Sequence, residues 1–153
     1  MNPRAVWMAS ACIFAGATVA SAEVVAPDKV MMEDMMVSKS LTGQAGSAEA
    51  GRKTFASRKL GNCLACHANA DMKAELFHGQ VGPPLDGVAG RYEEPQLRAI
   101  LIDSKKVLGG QTIMPSFYRV INDQRTQEKF HNKTILSAEQ IEDIIAYLKT
   151  LKE

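Results

Sequence analysis

The sequence predicts a small all-α domain. Three segments carry helical apolar spacing with a capping residue or a proline at the start, and no run alternates apolar and polar residues for long enough to make a strand. The stretches between them, 79 to 90 and 109 to 116, are loops rich in glycine and proline. An ordinary three-helix domain has no use for such loops, so the helices are expected to close around something the loops also touch.

The chain opens MNPRAVWMASACIFAGATVASAEVV, with Arg4, an apolar stretch from Ala5 to about Val19, and Ala20-Ser21-Ala22 as a small-x-small cleavage site. That is the pattern of a secretory signal peptide over residues 1–22. Removing 22 of the 153 residues leaves 131, and takes away one of the three cysteines, Cys12. It also takes Arg4, so 17 of the 18 basic residues remain against 17 acidic ones, a net charge of zero. A neutral mature chain argues against nucleic acid as a partner, and no second apolar run of membrane length argues for a membrane anchor. Export predicts a periplasmic protein.

Residues 23–46 form an N-terminal extension to a domain over 47–153. Its VMMEDMM stretch places Met31, Met32, Met35 and Met36 on one face if helical, an apolar patch for a partner or a soft-ligand cluster suited to Cu(I). The first helix follows Ser47 as N-cap in SAEAGRKTF, where Gly51 and Phe55 share a face and the glycine marks a close helix contact.

Next comes GNCLACH, with Cys63, Cys66 and His67. A zinc site needs four protein ligands, and only His78 and His131 remain to complete one. A thioredoxin-like motif should follow a strand, and a disulfide between cysteines three apart closes too small a loop to restrain the chain. Attachment of a c-type haem uses every residue. Positions i and i+3 of one turn present Cys63 and Cys66 to two vinyl groups, while His67 binds the iron. The cofactor expected is therefore one covalently bound haem c per chain.

The stretch VGPPLDGVAGR supplies the surroundings of that histidine. An iron-bound imidazole donates its other N–H to an oxygen, and the carbonyl of Pro83, in a rigid extended turn, is the expected acceptor. Leu85 is expected against the porphyrin and Arg91 near a propionate. Pro95 then opens the next helix in EEPQLRAILIDSKK, with Leu97, Ile100 and Leu101 on one side. After the Gly109-Gly110 break, Met114 lies 47 residues past His67 and just before Pro115, in a loop able to bring a thioether to iron. Met114 is the predicted second axial ligand, with His78 as the alternative; Met72 is too near His67 in sequence. Residues 122–133 form a long polar linker. Ser137 and Gln140 make a capping box for the last helix, whose Ile141, Ile144, Ile145, Leu148 and Leu151 form a core stripe.

Three separated stretches, G-x-x-x-F before CLACH, G-P-x-L-x-G-x-x-G-R after it, and M-P followed by IIAYL, resemble the class I cytochrome c family over about residues 47 to 151. More narrowly, GNCLACH, VGPPL, TIMPSFY and ILSAEQIEDIIAYL are similar to the monohaem SoxX subunit of SoxAX thiosulfate-oxidising cytochromes. The resemblance implies a cytochrome c fold of three to four helices with long loops wrapped around the haem. It implies an electron-transfer subunit paired with a SoxA-like haem subunit, the pair acting as an L-cysteine S-thiosulfotransferase with its catalytic site on the partner. Thiosulfate would be joined to a cysteine of a SoxYZ-like carrier, and the electrons passed to a soluble cytochrome c. A freestanding periplasmic shuttle is the competing function. In either role Arg52, Lys53, Arg58 and Lys59 are the candidate local docking charges.

Overall fold

A computed structural model describes residues 23–152. The predicted signal peptide lies outside the described residues. The described chain is helical: α1 (Ala48–Ala56), α2 (Val88–Arg91), α3 (Glu94–Ile102), α4 (Ser104–Leu108) and α5 (Ala138–Leu148), joined by loops with short 3-10 turns. Among the described residues there is no strand, only an isolated bridge between Glu33 and Met36. No helix there is long and apolar enough to cross a membrane.

The crossing of α1 on α5 is the centre of the fold. Ser47 caps α1 by accepting from the Ala50 N–H at 3.3 Å, and Ser137 and Gln140 cap α5 reciprocally. Gly51 is where the two backbones meet: a Cβ there would overlap the Asp143 carbonyl and sit 2.9 Å from the Ile144 nitrogen. The close approach lets Phe55 reach Tyr147 edge to face, with ring centroids 5.5 Å apart. Ile141, Ile144, Ile145 and Leu148 of α5 are buried, and so is Leu151, which lies beyond the helix end rather than in its stripe. Each such aliphatic side chain contributes roughly 2 kcal/mol of transfer free energy.

Three local expectations need correction. The helix from Pro95 does not run through to Lys106. It stops at Asp103 (φ −142°, ψ 76°), whose side chain accepts from the Lys106 N–H at 3.2 Å and starts α4. A short carboxylate that can bond the backbone locally competes with helix continuation. Second, the 79–90 loop contains the start of a helix, α2, entered through Gly87 at φ 68°; four residues are too few to show periodicity. Third, the methionines at 31, 32, 35 and 36 share no helical face. Asp34 and Met35 have φ of 47° and 61°, and Glu33 and Met36 exchange backbone hydrogen bonds of 3.0 and 2.8 Å across a tight turn. Two consecutive left-handed residues cannot propagate a right-handed helix.

The segment beyond that turn is packed into the core. Val37 and Leu41 are buried, and the Val37 N–H donates to the Pro95 carbonyl at 3.0 Å. The organiser is a buried ion pair. Arg98 donates to both oxygens of Glu142, at 2.8 and 2.9 Å, to Glu94 at 2.6 Å, and to the Val37 carbonyl at 3.0 Å. Glu142 Oε1 in turn accepts the Leu41 N–H at 2.8 Å. One guanidinium and one carboxylate thus tie together α3, α5 and the chain that precedes α1, with their polar groups satisfied as burial requires.

Candidate functional site

The CLACH segment forms a 3-10 turn, Cys63–Ala65, entered through Asn62 in the left-handed region at φ 50°. The N–H groups of Cys66 and His67 both bond to the Cys63 carbonyl, at 3.1 and 2.9 Å. That winds both thiols and the imidazole into one short arc. Neither Cys63 nor Cys66 is in a disulfide. Desolvation, ahead of the neighbouring Cys66, pushes the Cys63 thiol up to about 12. Burial thus favours the protonated thiol at this position. Among the described residues no group of three or more His, Cys, Asp and Glu gathers around a possible metal.

Loop 79–85 lies along this turn. Gly79, Gly82 and Leu85 donate their N–H groups to the carbonyls of Leu64, Cys66 and Ala68, at 2.8, 2.8 and 2.9 Å. The result places the Pro83 carbonyl 2.8 Å from His67 Nδ1. A carbonyl can only accept, so Nδ1 carries a proton, which in the neutral ring leaves the lone pair on Nε2. Gly82 is required by the same approach, since a Cβ would lie 2.7 and 2.8 Å from the two ring nitrogens.

His67 faces a cavity of about 800 Å³. Cys63, Cys66, Pro83 and Leu85 line it together with Met114, which arrives from the far loop after Gly109 (φ 93°). Phe55, Leu97, Ile100, Leu101, Ile144 and Leu148 supply apolar wall from α1, α3 and α5. Arg91 does not line it; its guanidinium donates to the Asp86 and Pro84 carbonyls at 2.6 and 2.8 Å and so braces the loop that carries Pro83. His78 is also elsewhere: Nδ1 accepts the Asn69 N–H at 3.3 Å and Nε2 lies 2.9 Å from the Met72 carbonyl. His131 bonds the Thr126 carbonyl on the surface.

Sequence reasoning missed Lys129 and Phe130, which line the cavity from the 122–133 linker, and Tyr92 beside α2. The lysine ammonium lies 4.8 Å from the Phe130 ring centroid. The charged residues around the cavity are Arg58, Lys59 and Lys129, with no carboxylate among the described residues that line it. A large apolar slot with cations and no acids, two free cysteines, an imidazole with an unbonded Nε2 and a thioether suits a flat apolar macrocycle bearing propionates. These residues fit a haem.

The family model for cytochrome c matches residues 48–152. Among solved structures, the chain is similar to SoxXA from P. pantotrophus, at 39% identity and a TM-score of 0.78, over 85% of this chain and 99% of that one. The c-type cytochrome SorU from Sinorhizobium meliloti is 25% identical, with a TM-score of 0.44, over 69% of this chain and 90% of that one. A comparison with curated protein sequences gave no match. The chain belongs to the cytochrome c family, whose domain implies covalently bound haem c. Within that family its likeness is to SoxX-type electron-transfer cytochromes.

Proposed function

We propose that this chain is the monohaem electron-transfer subunit of a periplasmic SoxAX-like complex. A SoxA-like partner would carry the site where thiosulfate is coupled oxidatively to a carrier-protein cysteine. This chain would take the released electrons and hand them to a soluble cytochrome c. The observation that carries most weight for the reading is the likeness to SoxXA along nearly its whole matched chain, together with His67 and Met114 lining one cavity.

A haem held there supplies reversible one-electron oxidation and reduction of iron. The chain's own residues do the rest. Cys63 and Cys66 would hold it covalently, and His67 Nε2 and the Met114 thioether would bind its iron. Pro83 fixes the imidazole's tautomer and orientation through Nδ1. Leu85, Leu97, Leu101 and Ile144 line the cavity and would keep water from the ring, which would favour the less charged ferrous centre. With the iron bound by two side chains of this chain, thiosulfate would find no vacant place on it, and bond-making would belong to the partner.

A permanent subunit also accounts for the exposed apolar side chains Leu76 and Phe77, which lie beside Leu64 and Ala65 of the CLACH turn, because a freestanding shuttle gains nothing from uncovered apolar side chains. The test is purification from the native source at high salt, with identification of whatever is retained. A second haem protein should remain bound in stoichiometric amount. Elution as a monomer with salt-sensitive contacts alone would point to the shuttle instead.

A further inference from the structure

The loop that brings Met114 to the cavity has little hydrogen bonding of its own. Within it, the Thr112 N–H reaches the Gly109 carbonyl at 3.1 Å and the Met114 N–H reaches Thr112 Oγ1 at 3.4 Å. Pro115 offers no N–H at all. The loop is held from the α3–α4 corner instead. Ser104 Oγ donates to the Met114 carbonyl at 2.7 Å, and the Lys105 ammonium donates to the Thr112 carbonyl. Beyond the proline, the N–H groups of Phe117 and Tyr118 bond to the Leu101 and Ile102 carbonyls at 2.9 and 3.3 Å.

We infer that Ser104 is a positioning residue for the Met114 thioether, an inference that rests on Met114 being an axial ligand. Ser104 is fully buried, so its hydroxyl has no water to turn to. Its neighbour Ser116, 3.4 Å away, donates its own hydrogen to Asp103 Oδ1 at 3.0 Å. The single hydrogen of Ser104 therefore goes to the carbonyl of the ligand residue itself. Fixing that carbonyl fixes ψ of Met114, and with it the direction in which the side chain leaves the backbone. A thioether is a weak ligand, and its occupancy depends on whether the loop is already ordered when sulfur meets iron. Prior ordering lowers the entropy lost on ligation. Without the hydroxyl, ligation itself must order the loop, and an external ligand competes better.

The test uses haem-loaded ferric protein, titrated with imidazole while the methionine-to-iron charge-transfer band is followed. Ser104→Ala should keep the band in the absence of imidazole and lose it at about tenfold lower imidazole concentration. Ser104→Thr and Ser104→Val guard against a packing artefact, since they add comparable bulk and differ in the hydroxyl. The threonine variant should stay closer to the wild type and the valine variant should follow alanine. Equal imidazole affinity in the threonine and valine variants, or an alanine variant within twofold of wild type, overturns the inference. Met114→Ala, run alongside, separates this from the reading beneath it: a band that persists there removes Met114 as ligand, whatever Ser104 does.

Discussion

Replacing Gly51 by alanine opposes two effects of known size. In an exposed helix the change would stabilise, because alanine is the better helix former by about 1 kcal/mol. At this crossing the new methyl would meet the Asp143 backbone carbonyl more than about 1 Å inside the ~3.3 Å at which carbon and oxygen normally touch. A carbonyl locked in α5 cannot rotate away as a side-chain tip can, so α1 and α5 must separate. Overpacking of that kind costs about 1–3 kcal/mol and sometimes more; a backbone clash on both flanking atoms belongs at the upper end. The net expectation is a loss of about 2–3 kcal/mol, or roughly a 10 °C fall in Tm for a domain of this length. Because Phe55, Ile144 and Leu148 line the cavity from these helices, water access to the haem should also rise. Thermal unfolding of the haem-loaded protein, followed by far-UV circular dichroism and by haem absorbance, gives both quantities. If Gly51→Ala melts at or above the wild-type temperature, propensity outweighs the clash and the argument for an obligatory close approach is wrong.

Gly82→Ala should press on the His67 ring and lengthen its 2.8 Å contact with Pro83, costing about 1–3 kcal/mol of stability; haem should stay attached through the thioethers while its absorption shifts toward the high-spin form, and an unchanged spectrum would count against the contact. Met114→Ala should abolish the methionine charge-transfer band and open the iron to rapid carbon monoxide binding in the ferrous state, both measurable by absorbance. Glu142→Leu leaves Arg98 charged and buried with only Glu94 and a carbonyl as partners, and should cost about 3–5 kcal/mol by denaturant unfolding. Asp71 is held below its usual 3.8 by the Tyr147 hydroxyl and then by Arg52. A depressed carboxylate contributes stability above its unfolded pKa and loses it as pH falls through the folded one. Asp71→Asn should therefore flatten the acid limb of Tm against pH below about pH 4, while a variant with an undiminished acid limb would remove Asp71 as its source.

The chemistry of the site and the ends of two helices were legible in the sequence because they depend on neighbours a few residues away. Cys63, Cys66 and His67 fall within five residues, Ser47 reaches Ala50, and Ser137 and Gln140 cap one turn. Even the α1–α5 contact announced itself, since a glycine inside an otherwise good helix has few other uses. What the linear pattern did not contain was anything set by residues far apart. Asp103 reads equally as a polar helical position or as a cap that takes the Lys106 N–H three residues on; Ser116 and Arg119, which reach its carboxylate from farther along the chain, accompany the break. The turn at Asp34–Met35 replaced a plausible methionine face. The Arg98–Glu142 pair joins residues 44 positions apart and reaches back to Val37. Lys129 and Phe130 read as linker until folding set them beside the cavity. Covalent spacing determines which groups can act as one short unit; only the packed chain decides which distant carbonyl, cation or hydroxyl stands next to that unit, because such contacts are selected by burial and shape rather than by order along the backbone.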